Sequence, residues 1–247
     1  NEWLINFKKL ALKKGISQET LDVTFLNVKF LEKVIVYDRK QPEFYEDTIT
    51  YVSKRANVFR AEKAKILLKK NKNLFIKVEN EFLVEKEILL ALWGIETNFG
   101  KHVGKMDILS SLATLSYDKR RREFFSTQLF TLLELMENNV IKKGKIYGSW
   151  AGAYGNFQFM PTTISSYAID YDKNNKIELK SIEDSFASAA NYINKMGWNM
   201  KKPCFIKVEL NNNTPSNLLN TSAKKIKNKK KLQNLKKYIK KPDEINL

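Results

Sequence analysis

Apolar residues recur at helical spacing through most of the first 200 positions, which predicts a mainly α-helical protein. Trp3, Phe7, Leu10 and Ala11 form one such stripe, and Ser17 is expected to begin the next helix. The predicted helical segments are 1–77 with a break at 37–44, followed by 84–97, 108–115, 121–136, 162–168 and 182–195. The break is expected because Pro42 disfavours helix in the residue before it.

The pattern changes after residue 200. Residues 204–210 alternate between apolar and polar side chains, which predicts a strand. We therefore expect three parts: a helical N-terminal part (1–77), a core (78–200) and a small β-containing part with a lysine-rich helix (201–247), which we expect to be incomplete at Leu247.

One carboxylate, Glu96, lies at the end of an otherwise apolar helical run. Leu89, Leu92, Trp93 and Glu96 follow the spacing of one helical face, so Glu96 is expected to leave the helix on the side that packs inward. Desolvation there would favour the protonated form, and general acid catalysis needs a carboxylic acid that keeps its proton near neutral pH. The alternative is an inert glutamate at a frayed helix end, paired with Lys101.

Composition limits the class of protein. A chain of 247 residues with 43% hydrophobic content can bury a globular core, and no apolar run approaches the ~20 residues that cross a bilayer. The first residues lack the pattern of a signal peptide, although the missing initiator Met leaves room for a removed export signal or lipid anchor. Cys204 is the only cysteine, which excludes an internal disulfide.

The formal net charge of +17 is unevenly distributed, because ten of the lysines lie between Lys224 and Lys241. This run is either a solvated helix face, with Leu232, Leu235 and Ile239 at helical spacing, or a surface that attracts a polyanion. Single-stranded nucleic acids need aromatic stacking beside the cations, and the aromatic residues cluster elsewhere. We therefore expect no nucleic-acid partner.

Residues 147–161 combine three glycines, five aromatic residues and neutral polar groups. This mixture makes a poor helix and a poor strand. It suits a cleft that binds sugars, since aromatic faces contact the pyranose ring and amides or hydroxyls bind its rim. A tight structural loop is the alternative.

Residues 170–181 place oxygen-bearing groups at the spacing of a calcium loop. The candidate ligands are Asp170, Asp172, Asn174, Lys176 through its backbone carbonyl, and Glu178. Ser181 replaces the bidentate glutamate of the twelfth position, which should weaken binding, and it can instead cap the following helix with Asp184 in a capping box. A structural calcium ion and a metal-free turn both remain open.

Several stretches together resemble the membrane-bound lytic murein transglycosylase B family of bacterial cell-wall enzymes, over nearly the whole chain. They are Asp38–Phe44, Trp93–Thr97, Leu112–Asp118 with Arg121–Phe125, Ala151–Pro161, and Ala190–Tyr192 with Gly197–Trp198.

The resemblance implies a lysozyme-like α core with a helical N-terminal part and a small β part. It implies cleavage of the β-1,4 bond between N-acetylmuramic acid and N-acetylglucosamine, leaving a 1,6-anhydromuramoyl end, with Glu96 as the single acid and base. It also implies substrate contacts through Ser149, Gln158, Phe159, Tyr192 and Tyr51, with Ser149 bonded to the catalytic carboxylate. No cofactor is required, apart from the calcium ion that the family's loop would hold.

The resemblance further implies a monomer acting on peptidoglycan glycan strands in the periplasm, tethered to the membrane as a lipoprotein by a segment outside this sequence. Two alternatives are kept. One is a peptidoglycan hydrolase, in which water is the acceptor. The other is a wall-binding module without catalysis.

Overall fold

The computed structural model describes residues 2–40, 47–219 and 231–242, and helices dominate them as predicted. The mainly α, lysozyme-like fold class is confirmed. The helices are α1 (Glu2–Lys13), α2 (Gln18–Phe25), α3 (Glu32–Arg39), α4 (Thr48–Arg55), α5 (Val58–Lys70), α6 (Lys72–Phe82), α7 (Lys86–Thr97), α8 (Ile108–Tyr117), α9 (Arg122–Glu137), α10 (Pro161–Tyr167), α11 (Ile182–Lys195) and α12 (Leu232–Leu235).

Local sequence explains where several helices begin and end. Ser17 caps α2, since its hydroxyl accepts a hydrogen bond from the Thr20 amide. The break predicted at 37–44 begins later than expected, because α3 continues to Arg39. Pro42 lies outside the described residues.

The core is built around α8, in which every residue from Ile108 to Ser116 is buried. Helix α8 packs on α9, and α9 packs on α10 and α2. Helix α8 also packs on α3, so a helix that is buried on every face has neighbours on more than one side.

An aromatic cluster fixes α7 against its neighbours. The Phe186 ring in α11 stacks on Phe75 in α6 at 4.4 Å between centroids, and it meets Trp93 in α7 edge-on at 5.2 Å. Phe157 contacts the same ring at 5.1 Å. Such aromatic pairs contribute about 0.5–1.5 kcal/mol each beyond their burial, so α7 is held rigidly by its middle turn.

Helix α7 ends abruptly. Asn98, Phe99 and Gly100 all have positive φ, at 51°, 61° and 77°. The Asn98 amide closes the helix on the Gly94 carbonyl at 3.1 Å. A left-handed conformation stops helix propagation, so Glu96 lies in the last turn.

The two strands form a small antiparallel sheet of β1 (Met106–Asp107) and β2 (Tyr147–Gly148), with Met106 opposite Gly148. The sheet brings the loop that starts at Tyr147 next to the segment that follows α7. Asp107 then caps α8, since its carboxylate accepts from the Leu109 amide at 3.2 Å.

The predicted strand at 204–210 is wrong. Within the described residues these positions pair with a neighbour only at Leu210, which forms an isolated bridge with Ile239. Phe205 is 86% exposed, so the alternating pattern has no apolar surface to bury against. Of the predicted lysine-rich helix, the described residues 231–242 contain the one turn of α12 and a 3₁₀ turn at Lys236–Tyr238, and 220–230 lie outside the described residues. No helix of the described ranges is long and apolar enough to span a bilayer.

Candidate active site

Glu96 lies in the final turn of α7, and burial by surrounding protein atoms raises the pKa of its carboxyl group above the ordinary value. No charged neighbour among the described residues contributes to this shift. In the same part of the chain Glu96 forms no ion pair, so the alternative of a glutamate paired with Lys101 finds no support. The direction of the pKa shift is the one that general acid catalysis requires.

The expected orientation of Glu96 needs a correction. The buried face of α7 consists of Leu89, Leu90, Trp93, Gly94 and Thr97, whereas Glu96 is exposed. Because 100° separate successive residues, Glu96 falls at the margin of that face, about 20° from Leu89. The carboxyl group is therefore partly desolvated by the protein and open to a ligand on its other side.

The hydroxyl of Thr97, the residue after Glu96, ties the end of α7 to the 147–161 loop. Thr97 is fully buried, and its Oγ1 donates to the Asn156 carbonyl at 2.9 Å and accepts from the Gly100 amide at 3.0 Å. The Asn156 side chain donates in turn to the Ser181 carbonyl at 3.1 Å and to Ser185 Oγ at 3.0 Å. These bonds link α7, the 147–161 loop and the start of α11.

Gln158 makes a second link to the segment after Glu96. It has a φ of 51°, and its Nε2 donates to the Val103 carbonyl at 3.2 Å and to the Gly155 carbonyl at 2.9 Å. Both bonds use the amide nitrogen, so the side-chain oxygen remains available to accept from a sugar hydroxyl.

The same segment and loop touch at Gly104. A Cβ at Gly104 would lie 2.1 Å from the Gly148 carbonyl oxygen and 2.5 Å from the Ser149 amide nitrogen. Only glycine permits this approach, and the φ of 88° at Gly104 also favours it. The loop therefore packs directly against the residues that follow Glu96.

Ser149 is placed at the start of this loop, but the structure shows no hydrogen bond between Ser149 and Glu96. The Ser149 Oγ accepts from the Ala153 amide at 2.9 Å and from the Ala151 amide at 3.3 Å. Both bonds fill acceptor sites, so the hydroxyl proton remains free to donate. The predicted bond to the catalytic carboxylate stays a prediction.

Phe159 and Tyr192 are brought together. Their rings meet edge-on at 5.8 Å, and Tyr192 also contacts Tyr167 at 5.0 Å. Phe159 is only 7% exposed, whereas Tyr192 is half-buried. The buried Phe159 ring therefore packs against the Tyr192 ring, and Tyr192 has the larger solvent-exposed surface of the two.

Tyr51 lies apart from these residues, on α4. The Arg55 guanidinium stands over its ring at 3.8 Å, which is a cation–π contact. In the described part of the chain, Tyr51 forms no aromatic or cation–π contact with the 147–161 loop.

The predicted calcium loop is a compact turn held by its own acids. Asp170 accepts from the Asn174 and Asn175 amides at 3.1 and 2.8 Å, and Asn174 accepts from the Lys176 amide at 2.9 Å. Asp172 accepts from the Asn174 side chain at 2.8 Å. The Glu178 backbone amide donates a hydrogen bond to the Asp184 carboxylate, at the start of α11.

Asp184 is the candidate ligand that sequence reasoning missed. Its carboxylate oxygen lies within 4.8 Å of oxygens of Asp170 and Asp172, and the residue is fully buried. It accepts from the Tyr171 amide at 2.8 Å and the Glu178 amide at 2.7 Å. Ser181 caps α11 as predicted, by accepting from the Asp184 amide at 3.2 Å, but the Asp184 carboxylate turns to the loop and completes no capping box.

Thr97 and Asn156 were also missed, and the sequence offered only a weak indication of them. A polar residue between glycine and phenylalanine in an apolar loop predicts burial with a hydrogen-bond partner, and Asn156 is such a residue. Its partners come from two distant segments, the end of α7 and residues 179–185, so no spacing rule identifies them.

The sequence and the fold are both similar to those of known proteins. The sequence model of the transglycosylase SLT domain family matches residues 1–245, and the chain belongs to this family. It is 40% identical over 116 residues to the membrane-bound lytic murein transglycosylase B of Escherichia coli (strain K12), a match that covers 47% of this chain and 32% of that protein.

Solved structures of relatives are similar to it, and two of them illustrate the match. Pseudomonas aeruginosa SltB3 in complex with NAG-NAM-pentapeptide has a TM-score of 0.82 at 34% identity, covering 86% of this chain and 57% of SltB3. Escherichia coli Slt35 in complex with calcium has a TM-score of 0.71 at 28% identity, covering 80% and 63%. This chain therefore spans less than two thirds of the length of each of these three relatives.

Proposed function

We propose that the protein is a peptidoglycan lytic transglycosylase with Glu96 as its single acid and base. The observation that carries the proposal is the raised pKa of Glu96 in the last turn of α7, with no charged neighbour among the described residues contributing to it. Membership of the transglycosylase SLT domain family and the similarity to lytic murein transglycosylase B support the reaction class.

The proposed reaction uses one carboxyl group twice. Protonated Glu96 gives its proton to the glycosidic oxygen between N-acetylmuramic acid and N-acetylglucosamine, and the C1–O bond breaks. The acetamido oxygen of the muramoyl residue stabilises the positive charge at C1, so a second protein carboxylate is not required. Glu96, now ionised, takes the proton from the C6 hydroxyl as the C6 oxygen bonds to C1. The product is a 1,6-anhydromuramoyl end, and no water is consumed.

The raised pKa of Glu96 suits both steps. It keeps a larger fraction of the acid protonated before cleavage, and it makes the carboxylate a stronger base afterwards. The exposed side of Glu96 leaves room for the sugar.

We assign substrate positioning to Ser149, Gln158, Phe159, Tyr192 and Tyr51. Ser149 has a hydroxyl proton to donate to Glu96 once it has ionised, and Gln158 has a free side-chain oxygen. Tyr192 offers a half-buried ring to a pyranose face, supported by Phe159. Tyr51 belongs to a separate wall, on α4.

We propose further that residues 170–184 hold a structural calcium ion through Asp170, Asp172 and Asp184. Their oxygens converge within 4.8 Å and are the hard donors that calcium prefers. The Slt35 structure in complex with calcium supports this assignment. Bound calcium would neutralise the clustered acids and fix the start of α11.

Calcium binding predicts a higher melting temperature in excess calcium than in chelator, with the difference abolished in Asp184→Asn. Ligand binding to the folded state raises the unfolding free energy by about 2.7 kcal/mol at a concentration 100 times Kd. The same melting temperature in calcium and chelator would reduce the loop to a metal-free turn.

We propose peptidoglycan glycan strands as the substrate and the periplasm as the place of action. The NAG-NAM-pentapeptide bound in SltB3 and the membrane-bound relative in Escherichia coli support these two assignments. Release of soluble muropeptides from purified sacculi tests the activity, since a wall-binding module would bind sacculi and release nothing.

A further inference from the structure

The outer face of α5 carries large apolar side chains that the described structure leaves uncovered. Phe59 and Ile66 lie seven residues apart on this helix, so they share a face, and they are 88% and 68% exposed. Val58, in the first turn, is 73% exposed. Globular proteins seldom leave large aliphatic and aromatic side chains exposed together, so this face is a candidate for contact with a partner.

The inner side of α5 holds the helix in place. Ala64, Leu67 and Leu68 are partly buried against the core, and α5 packs on α6 and α7. Phe59 and Ile66 point away from these contacts, since they lie on the other side of the helix. The fold therefore does not depend on them, and polar replacements at these two positions should leave it intact.

Cations alternate with the apolar side chains on the outer face. Lys63 follows Phe59 by four residues and Lys70 follows Ile66 by four, so the four residues form one line along the helix, which we call the α5 stripe. Both lysines are exposed. The Lys63 ammonium group reaches the Asn98 carbonyl only at 3.4 Å, which is a long hydrogen bond that it can exchange for another acceptor.

The charge of this region favours an anionic partner. Helix α5 contains five lysine or arginine residues and one acid, Glu62, which pairs with Lys65 at 2.7 Å. Helix α4, which leads into α5, adds Lys54 and Arg55 in its last turn. A second copy of this chain would bring the same positive charge, and a nucleic acid or an acidic polysaccharide would bring negative charge without an apolar interior. An anionic bilayer provides both the charge and the apolar interior.

We propose that the α5 stripe docks the folded chain on the surface of an anionic phospholipid bilayer. Phe59 and Ile66 enter the boundary between the headgroups and the acyl chains. Lys63 and Lys70 extend their apolar stems along the same face and place their ammonium groups at the lipid phosphates. The contact is made by the folded chain itself, separately from any lipid anchor, and it does not depend on the reaction proposed for Glu96.

The first experiment measures binding by flotation with vesicles of phosphatidylglycerol and phosphatidylethanolamine, in about 0.1 M salt. The test variant is Phe59→Ser with Ile66→Ser. The control variant is Ile5→Ser with Leu12→Ser on α1, because these residues have the same spacing and are 54% and 41% exposed. The wild-type and control proteins should bind equally, and the test variant at least about tenfold more weakly.

Three results of the flotation experiment would overturn the proposal. Undiminished binding of the test variant would show attraction by charge alone, equal losses in both variants would show no preference for α5, and absence of wild-type binding would show no bilayer contact. Phosphatidylcholine vesicles, which carry no net charge, should bind the wild-type protein much more weakly than the anionic vesicles. Equal binding to both kinds of vesicle would remove the role given to the lysines.

A second experiment locates the contact with an environment-sensitive fluorescent label. The label is attached at position 59 through Phe59→Cys in a Cys204→Ser background, and at the exposed Cys204 of the unchanged chain as the control. Anionic vesicles should shift the emission to the blue at position 59 and not at Cys204. The reverse pattern would assign the contact to the C-terminal part. A shift at position 59 without vesicles that grows with protein concentration would assign the stripe to a second copy. Either result overturns the proposal.

Discussion

The Thr97 hydroxyl offers the sharpest test of how the site is held together. Thr97→Val keeps the side-chain volume and removes one buried hydroxyl, so it creates no cavity. It leaves the Gly100 amide without an acceptor and the Asn156 carbonyl without this donor. An unsatisfied buried polar group costs about 1–3 kcal/mol, and two of them should lower the unfolding free energy by about 2–4 kcal/mol. For a chain of this size, that corresponds to a melting temperature lower by about 5–15 °C.

The activity of Thr97→Val should fall as well, because Glu96 is the preceding residue. Loss of the link to the 147–161 loop should lower kcat at least about tenfold and change KM less, since orientation of a catalytic group is sensitive to small displacements.

The control for this variant is Thr127→Val on α9. Thr127 is exposed, and its hydroxyl donates to the Glu123 carbonyl, four residues earlier, at 2.9 Å, as the Thr97 hydroxyl also reaches the Trp93 carbonyl at 3.3 Å. Its replacement should change the unfolding free energy by less than about 0.5 kcal/mol. Equal unfolding free energies in urea for the two variants would refute the view that Thr97 holds the loop.

Two further predictions concern stability. The Glu137 carboxylate accepts from the Ser17 amide at 3.0 Å, and hydrogen bonds to Thr20 and Ser17 lower its pKa from 4.5 to about 2. This depressed pKa stabilises the folded protein above pH 4.5, and the effect is lost as pH falls toward 2, so Glu137→Gln should be destabilising at pH 7 and neutral near pH 2 in urea titrations. Asp38 is 1% exposed and pairs with Arg120 and Arg121, so Asp38→Asn should lower the unfolding free energy by about 2–3 kcal/mol, discounted for the partly exposed arginines. The control is Glu62→Gln, which breaks the exposed ion pair with Lys65. If Asp38→Asn lowered the unfolding free energy no more than Glu62→Gln does, the prediction for Asp38 would be contradicted.

Periodicity predicted most helices because each buries one face. The apolar residues of α8 and α9 identified core helices directly, and Ser17 and Ser181 identified helix starts through their capping hydroxyls. The strand at 204–210 was predicted wrongly, because alternation shows which side chains share a face and not whether a neighbouring strand exists.

The candidate site was predicted in part. Glu96 and its raised pKa followed from the end of an apolar helix, but its exposure depends on its position at the margin of the buried face of α7. The contributions of Thr97, Asn156 and Asp184 depend on partners from other segments, which only the tertiary structure brings together.

The chemistry assigned to Glu96 is tested most directly by mass spectrometry of the muropeptides that the protein releases from purified sacculi in ¹⁸O-labelled water. Wild-type protein should release 1,6-anhydromuramoyl products that are lighter by one water than hydrolysis products and carry no label, and Glu96→Gln should release none. Reducing-end products that carry ¹⁸O, or unchanged release by Glu96→Gln, would contradict the assignment of Glu96 as the lone acid and base.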